Sequence, residues 1–214
     1  MTAKRLISIH WFRQDLRLSD NPALSEAIES GDILPIYILD DINSNDNKMG
    51  EASRWWLHHS LSNLNKKLGG KISFYNGDPK EIFNKLSEQY DVKSIYWNRC
   101  YEPWRIKRDR DLKKDLEEKN IHIETHNGSL LWEPWTVLKN DGTPYRVFSP
   151  YYKRGCLEAP APREPIQEPS LSNIVSNLFD SLSLDDLDLL PKVGWYEDME
   201  NLWSPGEDLS LIHI

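Results

Sequence analysis

A doubly wound, Rossmann-like α/β fold on a five-stranded parallel sheet is what this sequence predicts for residues 1–130. Two observations predict it. Five short apolar runs rich in β-formers recur between Ile7 and Thr125, and a helical stretch follows each of the first four. Parallel strands need right-handed helical crossovers, so strict alternation implies a parallel sheet covered by helices on both faces.

The elements follow in order. Ile7–Phe12 reads as the first strand. Asp20-Asn21-Pro22 then offers a capping side chain with proline at the first helical position, opening a helix to about Ser30. Ile33–Leu39 is the second strand, and the polar loop Asp40–Lys48 leads into a helix over Glu51–Leu68, with Trp56, Leu57, Leu61, Leu64 and Leu68 at helical spacing. Gly69-Gly70 stops it. Ile72–Tyr75 is the third strand, Asn76-Gly77-Asp78-Pro79 a turn into the helix Lys80–Tyr90, and Ser94–Asn98 the fourth strand. Pro103 opens a charged helix, Trp104–Lys119, with Ile106, Leu112 and Leu116 as a thin apolar edge, and Ile121–Thr125 is the fifth strand. Residues 131–157 are expected to complete the domain, with a turn or small hairpin over Leu138–Tyr145 and a short helix over Ser149–Gly155. Residues 158–214 read as an acidic linker, proline-rich from Glu158 to Ser170 and lying over the surface, with one or two short helices in Leu171–Leu190.

Composition narrows the function. Hydrophobic residues make up 39% of 214, and no apolar run approaches the ~18 residues of a membrane span. The N-terminus has neither the core nor the cleavage site of a signal peptide, and Cys100 and Cys156 form no CxxC pair. A cytoplasmic monomer with no metal site is expected. The net charge of −8 is uneven: residues 158–214 carry 12 acids and 2 bases, leaving 22 acids and 24 bases before them. The near-neutral folded part lacks the basic field of a self-sufficient DNA binder.

Ligands of doubly wound sheets bind beyond the carboxyl ends of the strands, where strand order reverses. That singles out His10–Asp15, Leu39–Asp41, Asn76–Asp78 and Asn98–Glu102. No GxGxxG follows the first strand, and no GxxxxGK[ST], GxSxG or HExxH occurs. The string Trp11-Phe12-Arg13-Gln14-Asp15-Leu16-Arg17-Leu18-Ser19-Asp20-Asn21-Pro22-Ala23-Leu24 crowds arginine and aspartate at the end of a buried strand. An ion-pair cluster pinning that loop would explain the residues singly.

As a string it resembles the opening signature of the photolyase/cryptochrome family. Further similarities follow in order: Arg54-Trp55-Trp56-Leu57 with Ser60-Leu61, Gly77-Asp78-Pro79, Tyr96-Trp97-Asn98-Arg99-Cys100-Tyr101-Glu102-Pro103, Pro144–Tyr152, and Trp203-Ser204-Pro205-Gly206-Glu207. The resemblance covers about 5–208. It implies a light-driven lyase that splits cyclobutane pyrimidine dimers in damaged DNA, with FAD held by a helical domain expected beyond residue 207 and absent here. No catalytic residue is assigned to this chain, which alone is expected to lack repair activity. It further implies an antenna chromophore, methenyltetrahydrofolate or a deazaflavin, with Asn98, Arg99, Tyr101 and Glu102, joined by Arg54 and Asp78, as the matching cofactor-binding positions. Against this, Glu102 also suits a helix N-terminus, and Arg54 also suits pairing with Glu51. A cryptochrome-type photoreceptor and a stand-alone nucleotide-binding α/β protein are the alternatives. The nine tryptophans read as packing residues, with Trp195 and Trp203 expected to be exposed.

Overall fold

The computed structural model describes residues 4–200 and 202–208. Strands β1 (Leu6–Phe12), β2 (Ile33–Leu39), β3 (Ser73–Asn76), β4 (Asp91–Asn98) and β5 (His122–His126) form one parallel sheet in the order β3-β2-β1-β4-β5. The chain winds outward from β1 through β2 to β3, then returns to lay β4 on the other side of β1. Strand order therefore reverses between β1 and β4, as expected of a doubly wound α/β fold.

Alternation along each strand divides the core in two. Tyr37 and Leu39 of β2 join Phe12, Leu24, Leu57, Leu61 and Leu64 on the face covered by α1 (Pro22–Glu29) and α2 (Glu51–Lys67). Leu34, Ile36 and Ile38 join Ile9, Trp11, Trp97, Phe83 and Leu112 on the face covered by α3 (Pro79–Gln89) and α4 (Pro103–Glu117). Trp11 and Trp97 meet edge to face with centroids 5.7 Å apart, so these strand tryptophans are packing residues. Helix starts follow the sequence chemistry: Asn21 accepts from the Leu24 amide at 3.1 Å to cap α1, and Asp78 accepts from the Lys80 amide at 3.0 Å to cap α3.

Several expectations change. Within α2 it is Trp55, 1% exposed, that enters the core, while Trp56 is 39% exposed. The Leu138–Tyr145 segment is a turn closed by Lys139–Thr143 and Gly142–Lys139 backbone bonds, without strands. A short helix does form over the Ser149–Gly155 region, α-type over Phe148–Pro150 and π-type over Tyr151–Cys156.

Residues 166–190 run along the sheet edge with their own anchors in the core. The short strand β3 pairs β2 only from Ile36 onward, leaving the start of β2 open on that side. Ile174 fills the gap: the Ile33 amide donates to Asn173 and the Val175 amide to Ile33, both at 2.9 Å. Leu182 then bridges antiparallel to Phe74. Ile174, Leu187 and Leu189 are buried in the core under α1 and α2, and the only helical turn here is Asp185–Leu187. The segment finds its partners through backbone bonds at a sheet edge.

Candidate functional site

The crevice at the strand-order reversal is filled with side chains. Asn98, at the end of β4, donates to Asp15 at 2.5 Å and to Asn21 at 2.7 Å, and accepts from the Ala23 amide at 3.3 Å. Asp15 in turn accepts from the Arg13 amide at 3.1 Å. Asp15, Asn21 and Asn98 are all buried, and Gly128 passes so close that a Cβ there would stand 2.5 Å from the Asn98 amide carbon. The Arg13 guanidinium donates to the Asn98 carbonyl, pairs with Asp109, and lies over Trp11, 5.0 Å from the ring centroid. Arg108 continues the chain, binding Asp109 at 2.7 Å and Asp40 at 2.8 Å. His10, fully buried beneath this network, has its pKa pushed by burial down to about 4, against the raising influence of Asp15.

The open space lies one strand over, above the ends of β1 and β2. It is a cleft of about 1020 Å³. Its floor is Trp11 and Tyr37–Asp40; its sides are the loop after β1 with Arg13, Gln14 and Arg17, helix α2 with Ser53, Trp56 and Ser60, and the first turns of α4 with Trp104, Arg105 and Arg108. Trp203, Gly206 and Glu207 close the remaining side. Arg105 and Arg108 lie 4.8 and 5.2 Å from the Trp104 ring centroid, which keeps their cationic heads beside an aromatic wall. Burial pushes the Tyr37 hydroxyl upward, so it stays protonated and can donate into the cleft. Flat aromatic faces and hydrogen-bond donors, with arginines that each face a carboxylate, suit a planar, conjugated molecule.

None of the six residues singled out in the sequence lines that cleft. Asn98 has its side-chain amide engaged with Asp15, Asn21 and the Ala23 amide in the filled crevice. Glu102 stands at the start of α4, accepting from Gln14 at 2.8 Å and lying 3.6 Å from Arg105, two residues that do line the cleft. Burial raises the Glu102 pKa, but the hydrogen bond from Gln14 and the nearby arginines outweigh it and keep the group ionised. Arg99 and Tyr101 converge instead on Glu133, at 2.6 and 2.8 Å, beside the β4–β5 strand ends. Arg54 pairs with Asp41 rather than Glu51, and donates to the Met49 carbonyl at 3.1 Å. Asp78 caps α3 at a smaller hollow of about 520 Å³, with Lys80, Lys107 and Arg108. The strand-end ranges His10–Asp15 and Leu39–Asp41 do reach the cleft, through Trp11, Arg13, Gln14, Leu39 and Asp40. The sequence reading missed Trp56, Trp104 and Arg105 as lining residues; for the last two the signal was the Trp104-Arg105 pair directly after the strand-four loop, where α4 starts at the sheet's carboxyl end.

Together these features define a doubly wound α/β domain with a ligand cleft at the carboxyl edge of a parallel sheet. The chain belongs to the DNA photolyase family, whose sequence pattern matches residues 8–170. It is 35% identical over 214 residues to a deoxyribodipyrimidine photo-lyase of Agrobacterium fabrum, covering 97% of this chain and 43% of that protein. It is 34% identical over 160 residues to Cryptochrome-2 of Arabidopsis thaliana, covering 71% and 25%. A crystal structure of a bacterial class III photolyase from Agrobacterium tumefaciens superimposes with a TM-score of 0.83 at 33% identity, over 96% of this chain and 43% of that one. The chain thus spans less than half the length of these photolyases, and corresponds to their N-terminal α/β domain.

Proposed function

We propose that this chain is the light-harvesting domain of a deoxyribodipyrimidine photolyase, and that its cleft takes a folate- or deazaflavin-type antenna chromophore. The observation that carries the reading is the aromatic, arginine-lined cleft beside Trp104. When bound, such a chromophore would absorb blue light and pass the excitation on. The chain's own residues bind and orient: Trp104 and Trp56 offer aromatic faces, Arg17 and Arg105 offer charge for carboxylate or phosphate tails, and Gln14, fixed by Glu102, offers its amide. FAD chemistry and damaged DNA would fall to helical sequence outside residues 1–214, and the isolated chain would repair nothing. The parent reaction is favoured over cryptochrome signalling by the 35% identity to the photolyase along 97% of the chain, against 31% along 93% for Cryptochrome-1 of Arabidopsis thaliana and 34% along 71% for Cryptochrome-2.

The test is to mix the 214-residue chain with 5,10-methenyltetrahydrofolate, or with a deazaflavin, and read the absorbance retained after gel filtration. Retention lost in Trp104→Ala but kept in Tyr101→Phe would locate the chromophore in the cleft rather than at Arg99, Tyr101 and Glu133. The opposite pattern would move it there, and retention of neither molecule would remove the antenna reading.

A further inference from the structure

Residues Trp203–Asp208 run across the mouth of the cleft. Trp203 meets Trp56 edge-on with ring centroids 6.0 Å apart, and the Asn63 amide donates to the Pro205 carbonyl. Gly206, at φ 143°, lies so near Asn63 that a Cβ would come 2.9 Å from its amide nitrogen, and few other residues adopt that backbone. Glu207 then turns inward. One carboxylate oxygen accepts from the Ser19 amide at 2.8 Å and from the Ser19 hydroxyl; the other accepts from the Leu18 amide at 3.1 Å and from Lys67 at 3.3 Å. Burial pushes the Glu207 carboxyl up, but these hydrogen bonds outweigh it and hold the group below its usual range.

The position of those donors matters more than their number. Leu18 and Ser19 end the loop that carries Arg13, Gln14 and Arg17, which is one wall of the cleft. Lys67 closes α2, whose Trp56 and Ser60 form the facing wall. A single carboxylate therefore ties the two walls together, while Trp203, Gly206 and Glu207 are themselves the third side of the space between them.

We infer that the strap Trp203–Glu207 is the removable wall of this cleft and that Glu207 is its latch, a positioning residue that sets how long a bound molecule stays. The inference rests on the cleft being the chromophore site proposed above. A ligand behind a latched strap leaves only when the strap opens locally, breaking the carboxylate contacts together. Entry uses the same opening. Releasing the latch therefore speeds departure without slowing arrival, whereas simple damage to the fold lowers stability and slows or abolishes arrival.

The experiment is stopped-flow binding of 5,10-methenyltetrahydrofolate to the 214-residue chain, to Glu207→Ala and to Trp203→Ala, with hydrogen exchange of the free proteins. Both variants should release the chromophore about tenfold faster or more, with association no slower. In Glu207→Ala the amides of residues 202–208 should also lose protection while those of β1 keep theirs. Dissociation within about twofold of the parent in both variants would overturn the latch and leave the chromophore reading standing. A fall in association together with melting temperature would reduce Glu207 to a fold contact and overturn it as well. If the unaltered chain binds no chromophore, both readings fall, and the binding titration alone reveals that case.

Discussion

The β1/β4 crevice and the cleft above β1 and β2 both lie at the carboxyl ends of adjacent parallel strands, yet one is packed with side chains and the other holds about 1020 Å³ of open space. In the crevice, short polar side chains with complementary donors and acceptors come from three directions: Asp15 from the loop, Asn21 from the start of α1, and Asn98 from β4. Each satisfies the others. Above β1 and β2 the walls are large rings on helices, which hold the space apart because they cannot collapse into one another. The strand-order reversal marks where a crevice can form. Side-chain size and polarity then decide whether it stays open.

Replacing Asn98 by alanine attacks the filled side directly. It leaves Asp15, Asn21 and the Ala23 amide short of partners in the interior, and at about 1–3 kcal/mol per unsatisfied group the expected loss is about 3–4 kcal/mol in urea unfolding. A loss under about 1 kcal/mol would mean that the crevice is not held by this network.

Acid should loosen the same region. With the folded pKa of His10 near 4 and the ordinary value 6.5, the unfolded chain takes up its proton first as pH falls. Stability tied to His10 is thus fully present above about 6.5 and is lost as pH drops toward the folded value, by about 2 kcal/mol between pH 7 and 5. The groups surrounding His10 are Asp15, His126, Arg13 and the Ala23 backbone. His10→Gln should flatten the profile of melting temperature against pH over that interval; an unchanged slope would assign the acid sensitivity to another group.

On the open side the effect should fall on binding rather than stability. Trp104 is only half-buried, so Trp104→Ala is expected to weaken chromophore binding about tenfold or more, about 1.4 kcal/mol, with a smaller change in unfolding free energy. Equal losses in both would make Trp104 a structural residue and erase the contrast between the two regions. The smallest expected effect is Lys107→Ala. Its ion pair with Asp111 is solvent-exposed along α4, and removal should shift stability by about 0.5 kcal/mol or less.

Much of the filled region could be read from sequence, and little of the open one. The strands were legible within a few residues because apolar runs and turn chemistry are local signals, and the Asp20-Asn21-Pro22 cap stood in plain view, whereas Asp78, read as a turn residue, proved to cap α3. The cleft depends on which face of α2 and α4 leans over the strand ends, and helical spacing does not resolve neighbours such as Trp55 and Trp56. One is in the core and the other faces the cleft. Ile106 likewise matched the apolar edge of α4 but is 39% exposed. Asn98 and Arg99 were legible as residues at the right loop, while the direction each side chain takes is a tertiary outcome. The anchors Ile174, Leu187 and Leu189 were hidden among the scattered leucines of an acidic stretch because their partners are remote strands.

Those anchors have a consequence for how the molecule behaves in company. An open strand edge with free amides and carbonyls invites a second chain to pair with it, and β3 is an edge strand of only four residues. Ile174 occupies the start of β2 that β3 leaves bare, Leu182 occupies β3 at Phe74, and Asp180, Asp185 and Asp186 flank Leu182 along the chain. At the opposite edge, β5 presents His122 and Glu124 to solvent. The acidic segment thus covers the edge at which one sheet could grow into the next, and proteolytic removal of residues past 170 is expected to raise self-association through β3, read as an increase in mass by light scattering.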